Sequence, residues 1–375
     1  MSIINDIVSL TADLISIPSV TSRHDEVDRC ARFIQAWCER EAITCTRMDN
    51  QGVPSLMVGP ASRNAPLLLM THFDVVDGPS HLFTPEVRDD VLHGRGSIDD
   101  KYAVALSLVL YRERLRAARA CGLGQDDVPL QLLMTGDEEE GGKNGARFAL
   151  DHVQAAFCVA IDGGAPGTII TKEKGVLDFT LTAHGKAAHG ARPWLGVNAV
   201  DLLMADYAAL KPLFPGQTRQ DDPDHWHRSL NLGILNAGDA VNKVPDVATA
   251  RLDVRYTEQD DPDALVKAMT EAVGGTLVLD RREPLFHTGN TPWLAKLLAC
   301  APGSETGFAH GASDARFLSA HGIPGVVWGA EGETSQHTAN EHLLIPSLQP
   351  LYAALDALVA DIPLPCPHGA PHPRS

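Results

Sequence analysis

The sequence predicts an α/β protein with a mostly parallel central sheet and an inserted α+β layer of ferredoxin-like order. Two observations carry this. Over the first 175 residues, short continuous apolar runs alternate with segments of helical period, the pattern of buried strands joined by helical crossovers. From Gly175 onward the texture changes to alternation of apolar and polar residues, with helical segments between. These shifts place a larger domain at 1–175 and 290–375 and an insert at 176–289.

Taken in order, the N-terminal stretch Ile4–Ser16 has amphipathic helical spacing and is stopped by Ile17-Pro18. A second helix is expected over His24–Glu41. "SLMVG" at Ser55–Gly59 and "PLLLMTH" at Pro66–His72 read as buried strands. A helix over about Lys101–Ala118 leads into the strand "PLQLLMTG", then a helix through Gly145–Asp151 and the strand "AAFCVAID", which ends at Asp162. Within the insert the order is "VLDFTLTAHG", a helix Asn198–Leu210, "SLNLGILNAG", "VATARLDVRYT", and a helix at about Pro262–Val273. The strand "HGIPGVVWGA" belongs to the larger domain again. Residues 362–375, rich in Pro and His, are expected to be disordered.

The chain has 375 residues, 44% hydrophobic and 21% charged, which suits a soluble globular protein. A formal charge of −17 disfavours nucleic acid and anionic membranes as partners, since both would repel it. A cation is the natural complement. Seven scattered cysteines without a Cys-x-x-Cys pair indicate neither a disulfide framework nor a zinc ribbon, and fit a reducing cytoplasm. The N-terminus lacks the basic leading region of a signal peptide, and no apolar run reaches the roughly 18 residues of a membrane span.

Acids and histidines recur where strands end. His72 and Asp74, two apart, point to one face of an extended chain, so the histidine could hold a metal while the carboxylate orients it. "HGRGSIDDK" delivers Asp99 and Asp100 to a helix start, where an aspartate is equally a favoured N-cap. "TGDEEEGG" sets Asp137, Glu138, Glu139 and Glu140 in a row. Such a run is either a solvated helix N-terminus favoured by the macrodipole or a set of groups that a cation must compensate. Asp162 ends the strand "FCVAID", and His337 comes after the strand "GVVWGA", again at a strand's carboxyl end. An open α/β sheet gathers ligands at its carboxyl rim. Two histidines and three carboxylates with no cysteine suit zinc, cobalt or manganese, and two ions sharing one carboxylate would use the set economically.

The strings "THFDVVDG", "LHGRGSIDDK", "TGDEEEGG", "AIDGG" and "HTANE", in this order, resemble the binuclear zinc peptidases and deacylases. That family includes carboxypeptidase G, acetylornithine deacetylase, succinyl-diaminopimelate desuccinylase, peptidase T and the cytosolic dipeptidases. The resemblance covers nearly the whole chain and implies a zinc-peptidase-type catalytic domain with an inserted lid and dimerisation domain. It implies two divalent metal ions: His72 and Asp162 on one, Glu139 and His337 on the other, Asp99 shared. It further implies Asp74 as the group orienting the ligands, and Glu138 as the general base that serves a water between the metals. "GKAAHGARPWLGVNAV" resembles the lid segment whose histidine, here His189, reaches across a homodimer interface to the oxyanion. Asn242 and Arg255, with Ser313 and Arg316 of "GASDARFL", match positions that hold the polar ends of the substrate.

Within that resemblance the ligand after the fourth strand is Asp162, as in the aminopeptidase and dipeptidase branch. Where the desuccinylase carries an Arg-Arg-Gly clamp for succinate, this chain reads Glu173-Lys174-Gly175. Glu173 would repel a carboxylate and suit an ammonium. The expected activity is hydrolysis of a dipeptide or short peptide. The alternatives are N-acyl-amino-acid deacylation and a silent metal-binding protein. No Gly-x-Ser-x-Gly elbow supports a nucleophilic hydrolase.

Overall fold

In the computed structural model, which describes residues 2–216 and 224–364, the first helix begins where Ser2 caps it, its hydroxyl accepting from the Asn5 amide at 3.3 Å. The helix Ile3–Ile15 buries Ile7, Leu10, Leu14 and Ile15, one stripe at helical spacing. His24–Arg40 does the same with Val27, Ala31, Ile34 and Cys38. Lys101–Ala120 is buried nearly all round through Arg112, which marks it as an internal helix, and it packs on the strands Asn64–His72 and Leu130–Thr135.

The described residues fall into two compact units. The first comprises 1–172, 287–309 and 313–375 and contains a nine-stranded mixed sheet. Four central strands run parallel: Leu130–Thr135, Asn64–His72, Gln154–Ala160 and Gly325–Val327. Val53–Val58 and Thr168–Glu173 flank them antiparallel, and Cys45–Asn50 pairs antiparallel with Val53–Val58, so the parallel order expected of the sheet holds at its centre and gives way at its flanks. Register decides where chemistry can gather: His72 pairs with Thr135, and Met70 with Ala160, which pairs with Val327. The loops that follow all four strands therefore leave from one rim.

A small sheet absent from the sequence reading also serves this rim. Glu86–Arg88, Val91–His93 and His342–Leu344 form an antiparallel trio in which His93 faces both Glu86 and His342. It ties the segment before Asp99 to the segment after His337.

The second unit, 173–286 with 310–312, is a four-stranded antiparallel sheet. Its spatial order is Ser229–Ala237, Val247–Tyr256, Gly175–His184, Thr276–Glu283. With the helices Ala199–Leu210 and Pro262–Ala272 this gives the order strand, helix, strand, strand, helix, strand. Its core is Leu177, Phe179, Leu181, Leu203, Leu252 and Met269. Among the described residues no helix is long and apolar enough to cross a membrane, and the six described cysteines are free. Most of the tail expected to be disordered, 365–375, lies outside the described residues.

Candidate metal centre

His72 is the last residue of its strand, and its ring is fixed from both sides. Nδ1 lies 3.0 Å from the Asp74 carbonyl oxygen, and the His72 amide donates to Oδ2 of Asp100 at 3.2 Å. A carbonyl can only accept, so Nδ1 carries a proton, and Nε2 is the ring atom left to hold a second proton or a metal. That nitrogen points at carboxylates: Oδ1 of Asp99 at 3.0 Å and Oδ1 of Asp162 at 3.8 Å. Three electron-rich atoms converging on one point call for a cation between them. Burial pushes the His72 pKa down, but Asp162, Asp74 and Asp99 outweigh it and raise it well above the ordinary value. The field that favours a proton there favours a divalent ion more strongly.

Asp99 turns its other oxygen, Oδ2, to Nε2 of His337 at 3.0 Å, and that nitrogen also lies 3.1 Å from Oε2 of Glu139. Two ligand groups thus share Asp99: His72, Asp99 and Asp162, then Asp99, Glu139 and His337, with the offered atoms of each group within 4.8 Å of one another. The nitrogen and oxygen donors, the absence of thiolate and the shared carboxylate fit two divalent ions. His337 has a left-handed backbone, φ 60°, held by a turn in which the Thr338 hydroxyl donates to Ser335 O and the Ser335 hydroxyl accepts from His342 N.

The run Asp137–Glu140 splits into four environments. Glu140 is exposed and Asp137 is buried, its Oδ2 accepting from Asn144 N at 2.9 Å and its pKa pushed up to about 6 by burial. Glu139 faces His337. Glu138 is half-buried, and desolvation with the nearby Asp162, Asp314 and Glu139 carboxylates raises its pKa well above the usual range. The turn carrying both glutamates hangs on Asp74, whose two oxygens accept from the amides of Glu138 and Glu139 at 3.1 and 3.2 Å. Thr21 donates its hydroxyl to Oδ2 of Asp74 at 2.7 Å. One buried carboxylate therefore sets the position of the whole turn relative to His72.

Ser313 and Arg316 lie in the same unit. Ser313 caps a short helical turn, accepting from Ala315 N, and Arg316 is 4% exposed with Nη1 3.8 Å from Oε1 of Glu138. His189, Asn242, Arg255 and Glu173 belong to the second unit. There His189 pairs with Lys243 across a two-residue ladder, and its Nδ1 accepts from the Ala191 amide at 3.0 Å. Asn242 is adjacent, accepting through its carbonyl from Gly190 N at 2.6 Å. Arg255 donates to both oxygens of Asp253, at 2.8 and 3.2 Å, and Glu173 is buried.

Several contributors are invisible to sequence reasoning. Thr21 comes from the loop after the first helix. Arg95 pairs with Glu341, whose Oε1 accepts from Gly96 N at 2.7 Å, so the loop bearing Asp99 is bound to the loop bearing His337. Lys101, fully buried, donates to the carbonyls of Leu14 and Ile17 at 3.0 and 2.6 Å and caps the first helix from within. The only linear trace of these is the nearness of Arg95 and Lys101 to Asp99, and of Glu341 to His337.

Residues 68–361, more than half of the chain, match Peptidase family M20/M25/M40. A probable carboxypeptidase of Arthroderma gypseum is 28% identical over 286 residues, covering 69% of this chain and 60% of that protein, so the chain spans well under two thirds of that relative. A succinyl-diaminopimelate desuccinylase of Dinoroseobacter shibae is 28% identical over 392 residues, covering 95% and 99%. The aminopeptidase PepT of Bacillus cereus superposes with a TM-score of 0.73 at 20% identity, over 95% of this chain and 98% of that one. The dipeptidase Dug1p of Saccharomyces cerevisiae superposes at 0.67 and 15%, over 96% and 98%. At these identities the structural likeness bears on the fold alone.

Proposed function

The chain belongs to the M20/M25/M40 peptidase family, whose members are metal-dependent hydrolases, and from that premise we propose that it hydrolyses the amide bond of a dipeptide or short peptide. The observation that carries the reading is the pair of ligand groups sharing Asp99 with Glu138 beside them. His72, Asp162 and Asp99 would hold one ion, and Asp99, Glu139 and His337 the other. Zinc suits the donors, as do cobalt and manganese. Ions held there supply Lewis acidity and acidify water.

Glu138 takes the proton of the attacking water and delivers it to the leaving nitrogen. A partly desolvated carboxyl with raised pKa is suited to that exchange near neutral pH. Asp74 fixes the ring of His72 and the amides of the Glu138 turn, so base and ligand move together. His189 donates to the developing oxyanion. Its Nδ1 accepts from a backbone amide, so the neutral ring carries its proton on Nε2, the reverse of His72. Asn242, Arg255 and Ser313 hold the polar ends of the substrate, and Glu173 favours a free ammonium over a carboxylate.

A homodimer through the second unit is part of this proposal. Its strand Ser229–Ala237 is a sheet edge that leaves Ile234 53% and Leu235 43% exposed, and the helix Ala199–Leu210 exposes Leu202 and Met204. A cytoplasmic setting accords with the free cysteines. N-acyl-amino-acid deacylation stands as the second reading, favoured by the desuccinylase relative that aligns along 99% of its own length. Zinc-loaded protein assayed on a dipeptide panel and on an N-acetyl and N-succinyl amino acid panel separates the two. Turnover confined to acylated substrates overturns the first. Glu138→Gln should lower kcat about 10²–10⁴-fold with metal content unchanged.

A further inference from the structure

The register of the small antiparallel sheet sets His342 opposite His93, and His93 opposite Glu86, in one row across its three strands. Residues paired across a ladder project from the same face, so three side chains of metal-ligand type stand side by side. The two imidazole rings lie 5.7 Å apart between centroids and are tilted by 39°. That tilt is neither the offset-stacked nor the edge-on arrangement that ring attraction favours. It is the separation that fits a shared ion: with metal–nitrogen bonds of about 2.0–2.1 Å, two imidazoles on one tetrahedral centre have centroids roughly 5–6 Å apart.

The protonation of both rings suits that use. Nδ1 of His342 lies 2.7 Å from the Asn340 carbonyl oxygen, so it carries a proton and Nε2 is the atom left to bind. Partial burial lowers the His93 pKa from its ordinary value, with His342 and Arg88 acting in the same direction and Glu86 against them. A ring kept neutral retains the lone pair that a metal requires. Glu86 is exposed and paired with Arg88, two residues along the same strand, so an ion would compete with that arginine for the carboxylate. His93, Glu86 and Arg88 line an open cleft of about 430 Å³, through which a hydrated ion can enter.

We propose that His93, His342 and Glu86 form a further divalent-metal site, sharing no ligand with the two groups that meet at Asp99. Two imidazoles, one carboxylate and a water suit zinc. The site sits on a joint. Gly94, next to His93, donates its amide to the carbonyl of Glu341 at 3.1 Å, and Arg95 pairs with the Glu341 carboxylate, next to His342. An ion across His93 and His342 clamps the segment leading to Asp99 onto the segment following His337, and so steadies the hydrolytic centre without touching substrate. The inference is independent of which amide bond that centre cleaves.

The test starts from full-length protein saturated with zinc and desalted, which is then titrated with Zn²⁺ by calorimetry. One equivalent should bind beyond those retained, and saturating it should raise the melting temperature by about 2–4 °C. His93→Gln and His342→Gln keep the bulk of the side chain and remove a ligand nitrogen. Each should weaken the added equivalent at least about 10-fold while the retained zinc is unchanged. Arg88→Ala frees Glu86 and removes a cation, so it should bind the added ion more tightly than wild type, an effect that damage to the sheet would not produce. His81 lines the same cleft outside the row, and His81→Ala should bind as wild type. Absence of the added equivalent, or its persistence at full affinity in both glutamine variants, overturns the proposal. Equal weakening in His81→Ala and His93→Gln would mean diffuse attraction by the cleft and overturns it too, as does an Arg88→Ala protein that binds no more tightly.

Discussion

Asp99 turns one carboxylate oxygen to each of two histidines: Oδ1 lies 3.0 Å from Nε2 of His72, and Oδ2 3.0 Å from Nε2 of His337. Burial pushes its carboxyl pKa up, yet the two rings outweigh burial and hold it below the usual range, so it stays ionised. A ligand shared in this way couples the two halves of the centre. Asp99→Ala should abolish binding of both ions, whereas His337→Ala should lose one first. Metal content by mass spectrometry after dialysis decides it, and a variant Asp99→Ala that retains two equivalents refutes the shared role.

Thr21 is remote from every motif, but its hydroxyl holds Asp74, which holds the Glu138 turn. Thr21→Val should cost about 1–2 kcal/mol of stability and lower activity or metal affinity about 10–100-fold, as loss of a group behind the ligands does. Thr21→Ser keeps the hydroxyl and should behave as wild type. Equal behaviour of the two variants would count against the hydrogen bond.

Gly142→Ala introduces a left-handed alanine and a collision with Asp314. Gly52 also has positive φ, 84°, but nothing within 4 Å of an added Cβ, so Gly52→Ala isolates the backbone penalty. We expect about 1 kcal/mol for Gly52→Ala and about 2–4 kcal/mol for Gly142→Ala in denaturant melts, with kcat falling only in the latter. Similar costs would mean that the Asp314 contact yields easily.

Burial pushes the Asp314 carboxyl from its ordinary 3.8 up to about 7. Between about pH 4 and pH 7 the folded chain then binds more protons than the unfolded one, so this group's contribution is complete below pH 4 and is lost as pH rises toward 7. Asp314→Asn cannot titrate. In urea melts of chelator-treated protein it should gain about 2–3 kcal/mol relative to wild type between about pH 5 and about pH 8. Parallel pH profiles would remove Asp314 from the explanation.

The exposed edge of the second unit gives a prediction about assembly. Ile234→Lys and Leu235→Lys place charges on the strand proposed to meet its copy. Sedimentation velocity should show a dimer for wild type and a monomer for the double variant. A wild-type monomer at micromolar concentration would remove the dimer and with it the trans role of His189.

The sequence carries the rim of the sheet because each parallel strand is a continuous apolar run, and the first acid or histidine after such a run falls at the carboxyl edge. That is how His72, Asp162 and the Glu138 turn stand out. Asp99 and His337 lack such a run of their own length; they are held by the trio Glu86–Arg88, Val91–His93 and His342–Leu344, whose three-residue strands are too short to show a period. Thr21 and Asp314 are silent for another reason. Each acts through a partner far along the chain, and no local spacing encodes a contact between Thr21 and Asp74 or between Asp314 and Gly142.

The insertion of the second unit between Asp162 and His337 has a consequence for synthesis. His72, Asp99, Glu139 and Asp162 leave the ribosome one after another, and His337 follows only after the whole inserted sheet. At about 5–20 residues per second the last ligand arrives on the order of ten seconds or more after the fourth. For that interval the nascent chain presents a half-built, strongly acidic pocket. Under the proposed assignment, an ion caught before His337 emerges would be held by His72 and Asp162 with Asp99, and the order of emergence would set the order of filling.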